Sequence, residues 1–208
     1  MINFSTSSQV CFIIERDKYD QLKSSLPKSI TIFPFFENKV LLVAASLNGG
    51  NVLDNFVDMI IKWNNDLGYT NDLNESSTND LWSKLIDLGS RCVDDGNEKL
   101  ECKPKLFAER HDKMTFASIQ NIRQSNNSIG QVFNSICKGL IQNLNEMFPK
   151  DLLIRLGCKR ILATGSALIR NSLLKKHFES EFNGINLEYK SSSDSALGAA
   201  LVLRKIFL

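Results

Sequence analysis

The sequence predicts an α/β domain, a sheet flanked by helices. Three observations carry that expectation. Lys39–Ser46 (KVLLVAAS) is a continuous apolar run with the length and composition of a buried strand. Apolar residues between 129 and 148 keep helical spacing throughout, enough for a helix of about 20 residues. From there onward the patterns alternate as strand, helix, strand, helix, the order found in layered α/β domains.

Taken from the start, residues 2–5 (INFS) and 9–15 (QVCFIIE) are rich in Val, Ile and Phe, and the polar turn Thr6-Ser7-Ser8 joins them as a hairpin. Residues 17–28 read as a polar excursion ending at Pro27. The segment 29–36 (SITIFPFF) is a strand, but Pro34 cannot donate to a ladder, so an edge or a strand end is expected. After Asn48-Gly49-Gly50, the residues Val52, Leu53, Phe56, Val57, Ile60 and Trp63 recur at helical spacing, with Gly68 as the cap. Residues 70–79 read as a loop, and Leu81, Leu85, Ile86 and Leu88 as a second amphipathic helix. Trp63 and Trp82 both lie on apolar helix faces and are expected in the core.

The stretch 94–125 is less regular and predicts short extended pieces with a loop of functional character. Ser125-Asn126-Asn127-Ser128 then offers N-caps for the long helix. Its apolar stripe is Ile129, Val132, Phe133, Ile136, Cys137, Leu140, Ile141, Leu144, Met147 and Phe148. A strand over 160–163, a small-residue turn, a helix over 167–182, a strand over 185–189 and a small-residue helix from Asp194 to Phe207 complete the chain.

Composition excludes several function classes. The 208 residues are 43% hydrophobic and 23% charged, as in globular proteins with a real core. A net charge of +2, with no Lys/Arg run beyond two residues, gives no footprint for nucleic acid. No apolar stretch approaches the roughly 18–20 residues that span a bilayer, and no signal-peptide pattern is present, so no membrane partner is expected. Cys11, Cys92, Cys102, Cys137 and Cys158 are odd in number and never spaced C-x-x-C. They predict small buried thiols in a reducing compartment, the cytoplasm, rather than a disulfide framework or a zinc site. The chain enters a strand directly after Met1, which gives the expectation that it belongs to something longer.

Three small-residue turns follow strand candidates: Ser5-Thr6-Ser7-Ser8, Asn48-Gly49-Gly50 and Gly165-Ser166-Ala167. Such turns expose backbone N–H groups, and a helix N-terminus adds the positive end of its dipole, so both suit phosphate oxygens. Each alone reads first as an ordinary tight turn, and none is a Walker or G-x-G-x-x-G motif. Asp54, about one turn into its helix, either favours the dipole or meets a ligand. His111, in AERHDK, has no nucleophile beside it and reads as a loop or hinge contact rather than a base. Glu109 and Arg110 read as an ion pair or as residues that position a neighbouring domain. His177, after Lys175-Lys176, reads as solvated charge.

In order along the chain, NFSTSSQV, FPFF, AASLNGGNVLDNFV, AERH, CKGLIQNL, ATGSALIRN and GAALVL resemble the C-terminal half of FGGY-family carbohydrate kinases, closest to members that act on seven-carbon ketoses. The resemblance spans all 208 residues as a single nucleotide-binding domain, with the N-terminal sugar-binding and catalytic domain absent. It implies an actin-like ATPase (ribonuclease H-like) fold, a mixed sheet flanked by helices. It also implies an ATP-binding half of a kinase that transfers the terminal phosphate to a sugar hydroxyl, sedoheptulose giving sedoheptulose 7-phosphate. Ser5, Thr6 and Ser7 then sit where a hairpin approaches the terminal phosphates. Gly49, Gly50 and Asp54 border ribose and phosphate, and Gly165, Ser166, Arg170 and Asn171 form the adenine turn. Mg²⁺ is expected on the phosphates and on the absent half, the sugar mainly in that half, and the general-base aspartate before Met1.

Two positions depart from the common family pattern. Ser166 replaces the second glycine of the adenine turn, and Ser5-Thr6-Ser7 replaces a glycine-rich hairpin. With no base among these residues, the chain by itself is expected to be inactive. A non-catalytic module that holds nucleotide or a partner is the alternative.

Overall fold

The computed structural model describes residues 1–69, 75–92 and 100–191, with 198, 200 and 201. Residues 70–74 of the loop expected over 70–79, residues 94–99 of the irregular stretch 94–125 and most of the helix expected over 194–207 lie outside the described residues.

β1 (Ile2–Phe4) turns back through Ser5-Thr6-Ser7 into β2 (Ser8–Glu15), so the expected hairpin forms with Phe4 opposite Ser8. β2 runs into a short helix, α1 (Arg16–Leu22), where the sequence predicted only a polar excursion. This helix has no fully buried residue and rests on the core through Tyr19 and Leu22 alone, too little apolar surface to leave a helical period in the sequence. β3 (Ile30–Phe35) is the outermost strand, which accommodates Pro34, and β4 (Lys39–Ser46) pairs with both β3 and β2.

The rest of the main sheet comes from the end of the chain. β7 (Arg160–Thr164) lies parallel to β1, and β8 (Asn186–Tyr189) lies parallel to β7. The six strands order as β3-β4-β2-β1-β7-β8, antiparallel through the hairpins and parallel at the other side. A separate two-stranded ribbon joins β5 (Glu101–Lys103) to β6 (Ser118–Gln120).

Cross-strand partners share a face, and one face is closed. Ile2, Phe4, Val10, Val40, Leu42 and Ala44 are all buried there. On the opposite face Ile13 and Phe33 are exposed. Lys39–Ser46, expected as a wholly buried run, therefore alternates between buried and half-buried positions, because among the described residues its antiparallel sheet is closed on one side only.

The covering layer is built around α4 (Ile129–Met147), with α2 (Gly50–Asp66) and α3 (Glu75–Ser90) beside it. Along α4 the expected stripe is buried from Phe133 to Met147, while Ile129 is exposed at the first turn. On α2 the buried residues stop at Val57, so the apolar period outlasts the surface it can pack on. Trp63, expected in the core, is 57% exposed as a result. The end of α2 is a Schellman turn: Gly68 has φ 81°, Tyr69 N–H donates to Asn64 C=O at 2.9 Å, and Gly68 N–H to Asn65 C=O at 2.9 Å. α3 starts at Glu75, inside the predicted loop, because its first turn is polar and carries no apolar period.

The helix predicted over 167–182 is two helices. α5 (Lys150–Arg155) leads from α4 toward β7; after β7 come α6 (Ser166–Arg170) and α7 (Ser172–Glu181). Asn171 separates them in extended geometry, and its Oδ1 accepts from Leu173 and Leu174 N–H at 3.0 and 3.1 Å, capping α7. His177 is not simply solvated: its Nε2 lies 2.6 Å from Asn134 Oδ1, tying α7 to α4.

At the head of α4, Ser128 and Gln131 make a capping box. Gln131 N–H donates to Ser128 Oγ at 3.3 Å, and Ser128 N–H donates to Gln131 Oε1 at 3.2 Å. Ser128→Ala is expected to lower unfolding free energy by about 1 kcal/mol, read from the urea midpoint at unchanged slope.

Candidate functional site

The three turns picked out in the sequence meet at one place. Gly50 N–H donates to Ser5 C=O at 2.7 Å, and Asn51 N–H donates to Thr6 C=O at 3.0 Å. The head of α2 is thus docked against the β1–β2 turn, and its first donors are spent on the protein's own carbonyls rather than left for a ligand. Gly49 allows this approach, since a Cβ there would stand 2.7 Å from the Ser7 carbonyl carbon. The turn after β7 closes the arrangement, with Ser166 Oγ 3.1 Å from Ser5 Oγ.

Gly165 sits where this turn passes β1. Its φ is 108°, and a Cβ would overlap the Phe4 carbonyl and lie 2.6 Å from Asn3 Oδ1. Its primary role is therefore to let β1 and β7 run side by side into the site.

A cleft of about 410 Å³ opens over these turns. Ser5, Thr6, Gly50, Asp54, Ser166, Arg170 and Asn171 line it; Ser7, Gly49 and Gly165 shape the turns behind the lining. Asn171 is 4% exposed and its Oδ1 is engaged in capping α7, so its first duty is structural. Desolvation, and then the charge of Asp58, raise the Asp54 carboxyl above the usual aspartate value.

α3 supplies a wall that sequence reasoning missed. Asn79, Trp82, Ser83 and Ile86 line the cleft together with Leu53 of α2. Trp82 was expected as core. It is half-buried, packs edge-on against Phe133 with ring centroids 6.2 Å apart, and keeps its remaining surface toward the cleft. An aromatic residue on an amphipathic stripe beside polar Ser83 and Asn79 was the available signal.

Glu109 holds the other side of the turn before α2. It is 1% exposed and accepts from Ser46 Oγ at 2.5 Å, Leu47 N–H at 3.1 Å, and Asn48 and Asn143 Nδ2 at 2.9 Å each. The expected ion pair with Arg110 does not form; Arg110 donates to Ala45 C=O at 3.0 Å instead. A buried carboxylate met by four neutral donors needs no cation. Asn48 completes the lock, donating to Ala108 C=O at 2.8 Å and accepting from Phe107 N–H at 3.0 Å. His111 is exposed and away from the cleft.

Among the described residues no group of three or more His, Cys, Asp or Glu could hold a metal ion, and no helix is long and apolar enough to cross a membrane. All five cysteines are free.

Comparison with known proteins decides the relationship. No family model matches the chain. It is 34% identical over 203 residues to the sedoheptulokinase of Homo sapiens and 35% identical over 204 residues to that of Mus musculus. In both cases the match takes in 98% of this chain and 41% of the relative. The chain is similar to one part of these sedoheptulokinases. It spans about two fifths of the length of the sedoheptulokinases it matches, and the likeness noted in the sequence is borne out.

Solved structures give the fold. Xylulose kinase from Rhodospirillum rubrum superposes with a TM-score of 0.72 at 13% identity, over 98% of this chain and 37% of that one. Glycerol kinase from Plasmodium falciparum, solved with ADP, superposes with a TM-score of 0.59 at 14% identity, over 100% of this chain and 38% of that one. The fold is the expected actin-like ATPase fold of sugar kinases, here as a mixed sheet with flanking helices.

Two predictions follow from this geometry. Gly165→Ala is expected to destabilise more than Gly184→Ala, by at least about 1 kcal/mol, in urea unfolding. Both glycines have positive φ, but only at Gly165 does a Cβ meet backbone; nothing lies within 4 Å at Gly184. In the loop that carries Glu109, hydrogen bonds from Thr115 and then Lys105 hold the Asp112 carboxyl down to about 2 from its usual 3.8. A depressed carboxylate stabilises above its unfolded value, so that stability is lost as pH falls from 3.8 toward about 2. Asp112→Asn is expected to flatten the stability profile across that window, measured by denaturant unfolding at each pH.

Proposed function

We propose that the cleft binds ATP, and that these residues form the nucleotide-holding part of a kinase that phosphorylates a sugar hydroxyl. Sedoheptulose, the acceptor in the relatives' name, going to sedoheptulose 7-phosphate, is the reaction that this reading assigns. The convergence of the three turns carries it: Ser5 and Thr6, the head of α2, and Ser166 all border one cleft, bonded directly to one another. That cleft also has the size usual for small-molecule sites. Support comes from the fold shared with a glycerol kinase solved with ADP.

Phosphoryl transfer asks the protein mainly for positioning and charge stabilisation. The Ser5, Thr6 and Ser166 hydroxyls and the Arg170 guanidinium are the donors for phosphate oxygens. Asp54, an acceptor in a cleft meant for an anion, suits ribose hydroxyls rather than phosphate. Trp82 and Ile86 give the base an apolar wall. Among the described residues Asp54 is the one carboxylate lining the cleft, and these residues do not compose a Mg²⁺ site. In this reading the metal rides on the nucleotide's phosphates and on parts of the enzyme that this chain does not match. None of these residues is placed as the general base, which the family pattern puts in that same unmatched portion. Five unpaired cysteines fit a cytoplasmic setting.

The test uses Trp82 as reporter. The chain has two tryptophans, so Trp63→Phe leaves Trp82 alone. ADP is expected to change its fluorescence saturably, and Trp82→Ala to weaken ADP about tenfold by calorimetry, as loss of one stacking partner would. Sedoheptulose-dependent ATP turnover by the 208 residues alone is expected to be nil. An unchanged ADP affinity in a folded Trp82→Ala protein rejects the adenine wall; robust turnover rejects the placement of the base.

A further inference from the structure

His111, Arg110 and Lys28 lie outside the cleft but close to one another. A second cavity, of about 180 Å³, is lined by Lys28, Ser29, Thr31, Ala45, Arg110 and His111. Among the described residues its lining holds two cations and an imidazole, and no carboxylate. Among the described residues neither Lys28 nor Arg110 has a carboxylate at ion-pair distance. The nearby Asp112 is already taken by Lys105, at 3.2 Å, and by Thr115 N–H, at 3.2 Å.

The pocket is also held in shape before any ligand arrives. Arg110 and His111 form the tip of a turn closed by reciprocal backbone bonds, Glu109 N–H to Asp112 C=O at 3.0 Å and Asp112 N–H to Glu109 C=O at 3.1 Å. The buried Glu109 side chain anchors one end of that turn, and one arm of the Arg110 guanidinium is fixed to Ala45 C=O at 3.0 Å. Its other N–H groups remain as donors. Ser29 spends its hydroxyl proton on Met147 C=O at 2.6 Å, which leaves Thr31 as the hydroxyl donor of the lining. Preorganised donors lose little entropy on binding.

We propose that Lys28, Arg110 and His111 form a second anion site, which takes a phosphate group. A guanidinium fork, an ammonium and an imidazole on two different segments suit an ion with oxygens in several directions better than a planar carboxylate. The cavity is less than half the size of the cleft, enough for a phosphate group and too small for a nucleoside. Free phosphate and the phosphate end of a sugar phosphate share this chemistry.

Calorimetry with inorganic phosphate at low ionic strength tests the site, on the 208-residue chain and on Lys28→Ala/Arg110→Ala. Both side chains are exposed, so the double variant is expected to keep its thermal midpoint and to lose phosphate affinity at least tenfold. Binding is also expected to persist with ADP present. A parallel titration with sedoheptulose 7-phosphate identifies the source: tighter binding than phosphate assigns the ester, equal binding the free ion. No binding at millimolar phosphate, or binding unchanged in the double variant, overturns the site. Loss of phosphate binding on adding ADP moves the ion to the cleft and overturns it equally. The double variant decides without reference to whether ADP binds.

Discussion

The docking of the head of α2 against the β1–β2 turn is the constraint on which the rest depends. Two backbone bonds, Gly50 to Ser5 and Asn51 to Thr6, join a hairpin at the start of the chain to a helix forty-odd residues later. Helix heads carry unpaired N–H groups that need partners, and here the hairpin carbonyls are those partners. The bonds are short because Gly49 and Gly50 present no side chain toward the turn. Gly165 does the same for β7 against β1, and the Ser5–Ser166 contact ties the third turn in. The cleft floor is therefore a set of backbone contacts, and the hydroxyls and guanidinium above it inherit their positions from that frame.

A buried acid organises the opposite flank. Glu109 gathers Ser46, Leu47, Asn48 and Asn143, so the end of β4, the turn before α2, the C-terminal part of α4 and the 105–112 loop meet on one carboxylate. The loop is held by polar bonds more than by apolar packing, with Leu106 and Phe107 left exposed. Removing the acid would take that acceptor from Leu47 N–H and from one N–H each of Asn48 and Asn143, while the Ser46 hydroxyl keeps Asn48 C=O at 3.0 Å, so several buried donors depend on Glu109 together. Through Asn48 it steadies the turn at the cleft, and through Arg110 and His111 it fixes the smaller basic pocket.

Much of the fold was legible in the residues. The hairpin, the edge position of β3, the long α4 stripe and its Ser128 cap follow from apolar period, Pro34 and cap chemistry, all local properties. What misled was also local. Trp63 keeps the period of α2 past the point where α2 has a neighbour, and Asn171 splits one apparent helix by capping the next. The N-terminal turn of α3 and the whole of α1 carry too little apolar surface to announce themselves. Within the cleft, the small-residue turns stood out as candidates, whereas Trp82 and Ser83 did not, because a half-buried wall looks like core in a helical pattern.

By itself the sequence determined the layered α/β class, the likeness to sugar kinases and which turns were worth watching. Those rest on period, residue type and order along the chain, which no folding is needed to read. Only the tertiary structure decided that the three turns share one cleft, that the head of α2 is spent on the hairpin, and that Glu109 pairs with amides rather than with Arg110. Each of those joins residues far apart in the chain, and a donor's partner is fixed by which carbonyl the packed sheet brings within 3 Å or so, not by what stands beside it in sequence.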